Sequence, residues 1–417
     1  MLALYQNHGA SPMAGPQKRR SGGIPRGLAT TGPVLFSYGF RPFFLGAALM
    51  AIMVMALWIL ALTCGLPVGG SYGAAHWHAH EMLFGFAPAV VAGFLLTSVP
   101  NWTGRLPVSG RPLMALFGLW VAGRIVLLQP DLSGIGIAIA IDSLFLPALL
   151  LIFAREIVAG RKWKDLKVLI VLALLSAANI GFHVAALIGE HGGLAQRLAV
   201  SAYTVLIMIM GGRIIPSFSR NWLNQRGEKL FPIPFSTFDT VAIAGGAMAL
   251  GGWTLLPESH LTGLIALVAF GLHIVRLKRW RGHAVFAEKL LFILHTAYAF
   301  IPLGFLAIAL GTQDYLGANS VLHVLTVGAM ATMMLAVMTR ATRGHTGRVL
   351  AGSRTTTFSY ASILLAALLR PAADLMPNHM TTLYAAAGLF WIAAFALFVV
   401  EYGPMLTRVR RVGLADR

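Results

Sequence analysis

Cysteine and charged residues are both scarce in this chain. The first scarcity excludes several kinds of cysteine site, and the second indicates the class of protein. The single cysteine, Cys64, excludes a disulfide framework within the chain, a thiolate zinc site and a C-x-x-C-H haem attachment. Any haem would therefore be a non-covalent b-type haem held by histidine. Only 11% of the 417 residues are charged, against roughly 25% in soluble proteins, and 57% are apolar. This composition predicts an integral membrane protein.

Apolar runs of membrane-spanning length recur along most of the chain, and no gap between them is long enough for a soluble domain. About 20 residues of α-helix cross the ~30 Å hydrocarbon core of a bilayer. We count twelve runs, at residues 43–63, 80–100, 112–128, 134–154, 168–188, 198–216, 240–256, 260–277, 287–310, 318–338, 356–370 and 380–402. The sequence thus predicts an all-α, polytopic membrane protein. A flexible cytoplasmic arm (1–35) precedes a single twelve-helix domain (36–403), and a basic cytoplasmic tail (404–417) follows it.

The net charge of +18 is explained by topology rather than by nucleic-acid binding. When successive loops are assigned to alternating sides, 29 of the 32 Lys and Arg residues fall on one side of the membrane. Only Arg124, Arg197 and Arg370 fall on the other. Cytoplasmic loops of membrane proteins carry an excess of basic residues. We therefore expect both termini in the cytoplasm, the lipid bilayer as the surroundings and no nucleic-acid partner.

The segment His76-Trp77-His78-Ala79-His80-Glu81, at the start of the second run, is the most informative part of the sequence. Three imidazoles and a carboxylate are costly to place beside a bilayer unless something binds them. In a helix, His76 and His80 share one face, and His78 and Glu81 share a neighbouring face. This pattern favours a transition metal or a haem iron. The alternative is an interfacial cluster that is hydrogen-bonded to water and headgroups.

Two further histidines lie near the extracytoplasmic ends of predicted spans, at the depth of His78 and His80. His183 ends the polar stripe Ser176-Asn179-His183 in the fifth run, and His323 begins the tenth. These four histidines are the candidate axial ligands of haem. Hydrogen bonding between helices is the alternative role for His183 and His323.

Arg124 and Asp142 lie at similar depths in adjacent spans, so we expect them to form an ion pair. In the alternative functional roles, Arg124 meets a haem propionate, or Asp142 orients a ligand histidine. Imidazole nitrogen without thiolate suits copper or zinc, and copper has the higher affinity. The candidate ligands of a metal other than haem iron are His76, His78, His80, Glu81 and His295.

The cytoplasmic side has its own polar motifs. Besides Asp142 at the other side, the candidate residues for orienting a ligand or binding an anion are Arg213, Arg340, His345 and Arg348. An ordinary basic inner loop is the alternative. His295 lies two turns inside the ninth run, where it is either a ligand or hydrogen-bonded to another helix. His273 and His283 are expected to be solvated at the inner interface.

Several long motifs together resemble the NnrS family. They are W-H-A-H-E-M-L-F-G-F, G-F-L-L-T-S-V-P-N-W-T-G, G-R-I-I-P-S-F, H-V-L-T-V-G-A-M and M-T-R-A-T-R-G-H-T-G-R, in this order, with F-S-Y-G-F-R-P-F-F before them and L-H-T-A-Y at 294–298. The resemblance extends from about Phe36 to the final span. It implies a bacterial cytoplasmic-membrane protein that binds haem and copper and works in the response to nitric oxide and nitrosative stress. The positions that it highlights are His78, His80, Glu81, His295, His323 and His345.

Two classes of function follow from these expectations. In the first, a haem–copper enzyme or sensor handles nitric oxide in the outer half of the membrane, with an unidentified redox partner. Nitric oxide partitions into lipid, so this function needs no polar substrate channel. In the second, the protein transports haem, copper or a small related ligand.

Overall fold

The computed structural model describes residues 32–190 and 192–410, and within these ranges every regular element is a helix. The all-α prediction is therefore confirmed. Most of the predicted arm (1–35) and part of the predicted tail (404–417) lie outside the described residues. The last long helix continues to Thr407, so the first residues of the predicted tail are helical.

Twelve long helices account for most of the chain, and each overlaps one of the twelve apolar runs. They are α1 Phe40–Cys64, α2 Ala74–Thr103, α3 Arg111–Leu128, α4 Ile135–Ala159, α5 Leu166–Leu187, α6 Gly193–Gln225, α7 Thr237–Leu255, α8 His260–Arg279, α9 Lys289–Gly311, α10 Ala318–His345, α11 Arg354–Asp374 and α12 Met380–Thr407. Ten of them are long and apolar enough to cross a membrane. The other two, α7 and α11, have 19 and 21 residues but are less apolar.

The first and last helices of the bundle pack against each other. Trp391 of α12 donates its indole N–H to the carbonyl of Ala51 in α1, at 3.0 Å. At the other end of α1, the guanidinium of Arg41 donates to the carbonyl of Leu406, at 2.7 Å. Arg41 is almost fully buried, so these backbone acceptors replace the water that its charge loses.

Two of the long helices contain a π-helical segment. In α2 it covers Glu81–Phe86, and in α10 it covers Val324–Ala331. Each segment begins directly after a histidine, His80 or His323. π-helical turns are rare and are frequently found at functional sites. The extra residue in the turn also changes which side chains share a face of the helix.

Buried polar side chains are concentrated at both ends of the bundle. One end, the His80 end, is where α2, α4 and α6 begin and where α3 and α5 finish. The opposite end contains the loops that follow α2, α4, α6, α8 and α10. Each end holds a network of buried ionic groups that includes at least one histidine, and these two networks are described below.

Candidate metal centre

Six polar side chains from four helices meet at the His80 end and form what we call the His80 cluster. They are His80 and Glu81 of α2, Arg124 of α3, Asp142 of α4, and Asn179 and His183 of α5. All six are buried, and the largest exposed fraction among them is 7%, for Arg124. Because neither lipid nor water reaches them freely, these groups must satisfy one another or a bound ion.

Three members of the His80 cluster offer ligand atoms at one point. The carboxylate oxygen Oδ2 of Asp142 lies 2.9 Å from Nε2 of His183 and 3.2 Å from Nε2 of His80. All three atoms lie within 4.8 Å of one another. Two imidazole nitrogens and one carboxylate oxygen form a donor set suited to a transition metal. Among the residues that the structure describes, no other group of three His, Cys, Asp or Glu side chains converges in this way.

The imidazole of His80 faces hydrogen-bond acceptors on both sides. Its Nδ1 lies 3.0 Å from Oε1 of Glu81, and its Nε2 lies 2.9 Å from Oδ1 of Asn179. The Asn179 amide is oriented by its own N–H, which donates to Asp142 at 3.0 Å. A neutral imidazole has only one N–H to donate. With that proton directed at Glu81, the Nε2 lone pair faces oxygen acceptors alone, an arrangement that a cation at this point would stabilise.

Tyr72 orients the second imidazole, that of His183. Its hydroxyl lies 2.9 Å from Nδ1 of His183, and burial raises the pKa of this tyrosine, so it remains protonated at neutral pH. When the Nδ1–H of His183 donates to that hydroxyl, Nε2 keeps a lone pair that points towards Asp142. Hydrogen bonds of this kind fix the tautomer of metal-binding histidines. Tyr72 is not predictable from the sequence, because a lone tyrosine in a loop carries no recognisable signal.

Arg124 joins the two carboxylates of the cluster. Its guanidinium donates to Oε1 of Glu81 at 2.9 Å and also to Oδ1 of Asp142, which is the expected ion pair. Each terminal nitrogen of the guanidinium thus donates to one of the two carboxylates. With neutral imidazoles, one arginine and two carboxylates give the cluster a net charge of −1. An uncompensated charge inside a membrane is costly, which favours an additional cation.

The histidines of the 76–80 segment point in two directions. His76 and His80 both pack against the ring of Phe182 in α5, with ring centroids 5.7 Å apart in each pair, as their shared face predicts. His78 instead stacks on Trp58 of α1, at 4.7 Å. Glu81, at the start of the π-helical segment, turns towards α3 and pairs with Arg124.

His78 and His323 also lie at the His80 end of the bundle, but outside the His80 cluster. Nδ1 of His323 donates to the carbonyl of Asn319 at 2.7 Å, which leaves Nε2 as the basic nitrogen. Nδ1 of His78 is buried and has no hydrogen-bond partner in the part of the chain that the structure describes. The four outer histidines are thus divided between two places rather than gathered in one.

The structure places His295 at the opposite end of the bundle, away from the His80 cluster. Its Nε2 lies 3.0 Å from the hydroxyl of Ser219 in α6, and its ring packs beside Trp280. No second histidine, cysteine or carboxylate joins it in a group of three among the described residues. Nε2 of His295 therefore makes a hydrogen bond between helices, one of the two roles considered for this residue, and its buried Nδ1 has no hydrogen-bond partner among the described residues.

The basic residues considered for anion binding each have a partner of their own; they are Arg213, Arg340, His345 and Arg348. Arg213 forms an ion pair with Asp165 at 3.0 Å, and Arg340 lies over the ring of Phe218 at 4.3 Å. His345 packs near the rings of Tyr38 and Phe40. A guanidinium nitrogen of Arg348 lies 3.3 Å from the carbonyl of Thr346.

A second buried ionic network lies at the opposite end, and we call it the Arg276 cluster. Arg276 of α8 donates to Asp239 of α7 at 2.9 Å and to the hydroxyl of Tyr298 in α9 at 2.5 Å. His273 completes it, with Nδ1 2.9 Å from the Tyr298 hydroxyl and Nε2 3.0 Å from the carbonyl of Ala242. The expectation that His273 is solvated is wrong, because it is fully buried. Arg279 also forms an ion pair with Asp239, at 3.7 Å, so this cluster has no excess of carboxylate charge that an added cation would balance.

Comparison with known proteins agrees with the motifs. A search of curated proteins finds no match to the sequence. The family model described as NnrS protein matches residues 34–410, which includes all twelve long helices and every residue of the His80 cluster. The chain therefore belongs to the NnrS family.

Proposed function

We propose that this protein is a copper- and haem-binding protein of the bacterial cytoplasmic membrane that works in the response to nitric oxide and nitrosative stress. Membership of the NnrS family supports the nitric oxide response. The observation that carries the metal assignment is the set of three ligand atoms from His80, Asp142 and His183 in a buried cluster of net charge −1.

All twelve long helices cross the membrane in this proposal, with both termini in the cytoplasm and the His80 end on the extracytoplasmic side. The even number of helices agrees with the 29-to-3 division of basic residues. In addition, α7 and α11 pack against neighbouring spans, α8 and α12 respectively. Tertiary contacts of this kind compensate for the lower hydropathy of these two helices.

Copper fits the His80 cluster by its donor set and by its charge. Imidazole nitrogens suit copper, and among divalent first-row metals Cu(II) generally binds most tightly to a given site. Cu(I) would bring the net charge of the cluster from −1 to zero, and Cu(II) would bring it to +1, so neither oxidation state buries a large charge. When bound, copper supplies one-electron redox chemistry and an affinity for small ligands.

The residues around the proposed copper ligands orient them. Glu81 accepts the Nδ1–H of His80, and Tyr72 holds Nδ1 of His183, so that both Nε2 lone pairs point to one place. Arg124 neutralises part of the carboxylate charge and fixes Asp142 and Glu81 relative to each other. Substitutions of such supporting residues typically weaken metal binding about 10- to 100-fold.

Haem does not fit at His80 or His183. Their ring centroids are 4.6 Å apart, and both ring nitrogens of each imidazole already face polar partners, so no space remains for a porphyrin. His323 and His78 fit better, because His323 has a hydrogen-bonded Nδ1 and a basic Nε2, and Nδ1 of His78 is buried without a hydrogen-bond partner among the described residues. These two histidines would therefore hold the iron of a b-type haem.

Metal analysis of purified variants tests the copper assignment. We expect the wild type to bind one copper ion per chain and His183→Ala to lose it. The matched control is His273→Ala, which also removes a buried imidazole whose Nδ1 lies 2.9 Å from a tyrosine hydroxyl. This control should keep its copper, because Nε2 of His273 donates to a carbonyl and has no lone pair for a metal. A wild type without copper, or equal copper in His183→Ala, contradicts the proposal.

A further inference from the structure

The proposed metal centre is sealed within the protein, so a metal ion needs a route to it. His80 and Glu81 are 0% exposed, and Asp142 and His183 are 2% and 1% exposed. A bilayer blocks the sides of the bundle to ions. The route must therefore begin at one end of the bundle and pass between helices.

A large cavity lies at the His80 end, next to the cluster. Its volume is about 760 Å³, and its walls are the first residues of α2, α6 and α10 together with the last residues of α7 and α9. A metal ion with six waters needs only about 200 Å³, at roughly 30 Å³ per water. A hydrated ion can thus enter the cavity without losing its water.

His76 connects this cavity to the His80 cluster. It lines the cavity and lies one helical turn before His80 on the same face of α2. Its ring packs against Phe182 at 5.7 Å and near Tyr72 at 6.2 Å. The same two rings also contact His80 and His183. Phe182 and Tyr72 therefore contact both the histidine on the cavity wall and the histidines of the proposed metal centre.

The charges that line the cavity favour a cation. Glu258 interacts electrostatically with Arg197, whose Nε also donates to the carbonyl of Thr254 at 3.2 Å. The carboxylate of Asp314 has no ion-pair partner among the described residues, and it gives the lining a net charge of −1. A net negative lining with low-dielectric walls raises the local concentration of cations.

We infer that this cavity is a cation-binding entrance, in which His76 and Asp314 capture a hydrated metal ion before it reaches the His80 cluster. This inference rests on the proposed metal centre, because the cavity is assigned to the same cargo. It adds a second, weaker site on the path, lined by one imidazole and one carboxylate. Blocking or neutralising this site should slow the loading of the centre and leave the final occupancy unchanged.

A cysteine block tests the entrance in the full-length purified protein. In a Cys64→Ser background, Ala75→Cys places a thiol on the cavity wall, and a bulky methanethiosulfonate reagent then fills the space. Copper(II) is added, and protein-bound copper is followed with time by electron paramagnetic resonance. We expect the labelled variant to load at least tenfold more slowly than the same variant without label. The matched control is the wild type labelled at Cys64, which is exposed at the same end but does not line the cavity.

Charge neutralisation provides an independent measurement. Asp314→Asn should lower the loading rate several-fold at low salt, with less effect at high salt because ions screen the attraction. Glu190→Gln removes an exposed acid from the same end outside the cavity, and it should load at the wild-type rate. If the labelled and neutralised variants load as fast as the wild type, the entrance is wrong and the metal centre stands. If no form of the protein takes up copper, both proposals fail.

Discussion

Two buried histidines show how the partner of one ring nitrogen decides what a residue can do. His183 and His273 each have Nδ1 2.9 Å from a tyrosine hydroxyl. The Nε2 of His183 faces the carboxylate of Asp142, whereas that of His273 faces a backbone carbonyl. A carbonyl can only accept, so His273 must keep its proton on Nε2 and cannot bind a metal there. Neither partner is visible in the sequence around either histidine.

Much of the metal centre was nevertheless predictable residue by residue. His80, Glu81, Arg124, Asp142 and His183 all stand out because charged or polar groups inside apolar runs are rare and costly. Which of them meet depends on how α2 to α5 pack, and the sequence alone does not specify that. For the same reason the sequence could not divide the outer histidines between two places.

Gly85 is a residue whose importance comes entirely from packing. A Cβ added there would collide with the guanidinium of Arg124 and lie 3.0 Å from Oε2 of Glu81. We expect Gly85→Ala to break the Arg124–Glu81 contact, to cost about 3–5 kcal/mol of stability and to abolish copper binding. Gly118→Ala on the exposed side of α3 meets no atom within 4 Å and should leave both unchanged. Thermal unfolding in detergent and metal analysis measure the two effects, and full copper in Gly85→Ala would contradict the role of this contact.

At the scale of elements, the π-helical segment of α2 is the feature that the sequence could not predict. Its carbonyls are satisfied by side chains far away in the chain. The Tyr203 hydroxyl of α6 donates to the carbonyl of Leu83 at 2.8 Å, and the Trp120 indole N–H of α3 donates to that of Gly85 at 2.9 Å. The apolar runs locate the helix correctly, but a local departure from α-helical hydrogen bonding depends on these long-range donors.

Substitution of a side chain that donates a hydrogen bond to this π-helical segment should alter the metal centre. We expect Trp120→Phe to lower the copper affinity about tenfold and to change the electron paramagnetic resonance spectrum of bound copper. The reason is that Trp120 donates to the segment that begins at Glu81, directly after His80. Trp391→Phe is the matched control, since Trp391 is equally buried and also donates to a carbonyl, that of Ala51, in an ordinary α-helix. Both substitutions should cost about 1 kcal/mol of stability. If both variants give the wild-type copper spectrum, Trp120 is only structural.

At the scale of the whole molecule, hydropathy and charge predict the helical architecture well because the bilayer imposes both. Spanning length and backbone hydrogen bonding restrict the chain to helices, and the basic residues report which loops stay inside. The function of the protein is harder to predict from hydropathy and charge than its architecture is. The His80 and Arg276 clusters, at opposite ends of one bundle, contain the same kinds of residue. Among the described residues, the His80 cluster has an excess of one carboxylate and three converging ligand atoms, whereas the carboxylate of the Arg276 cluster is balanced by arginine.

The orientation of the bundle follows from the same reasoning, and the single native cysteine can test it. Cys64 is exposed at the end of α1, at the His80 end. We expect a membrane-impermeant thiol reagent to label it in intact spheroplasts but not in sealed inverted vesicles. Leu230→Cys, made in a Cys64→Ser background, places an exposed thiol in the loop after α6, at the opposite end, and should show the reverse pattern. If Cys64 is labelled only in inverted vesicles, the predicted orientation is wrong. The proposed copper site would then lie on the cytoplasmic side, which contradicts the distribution of basic residues.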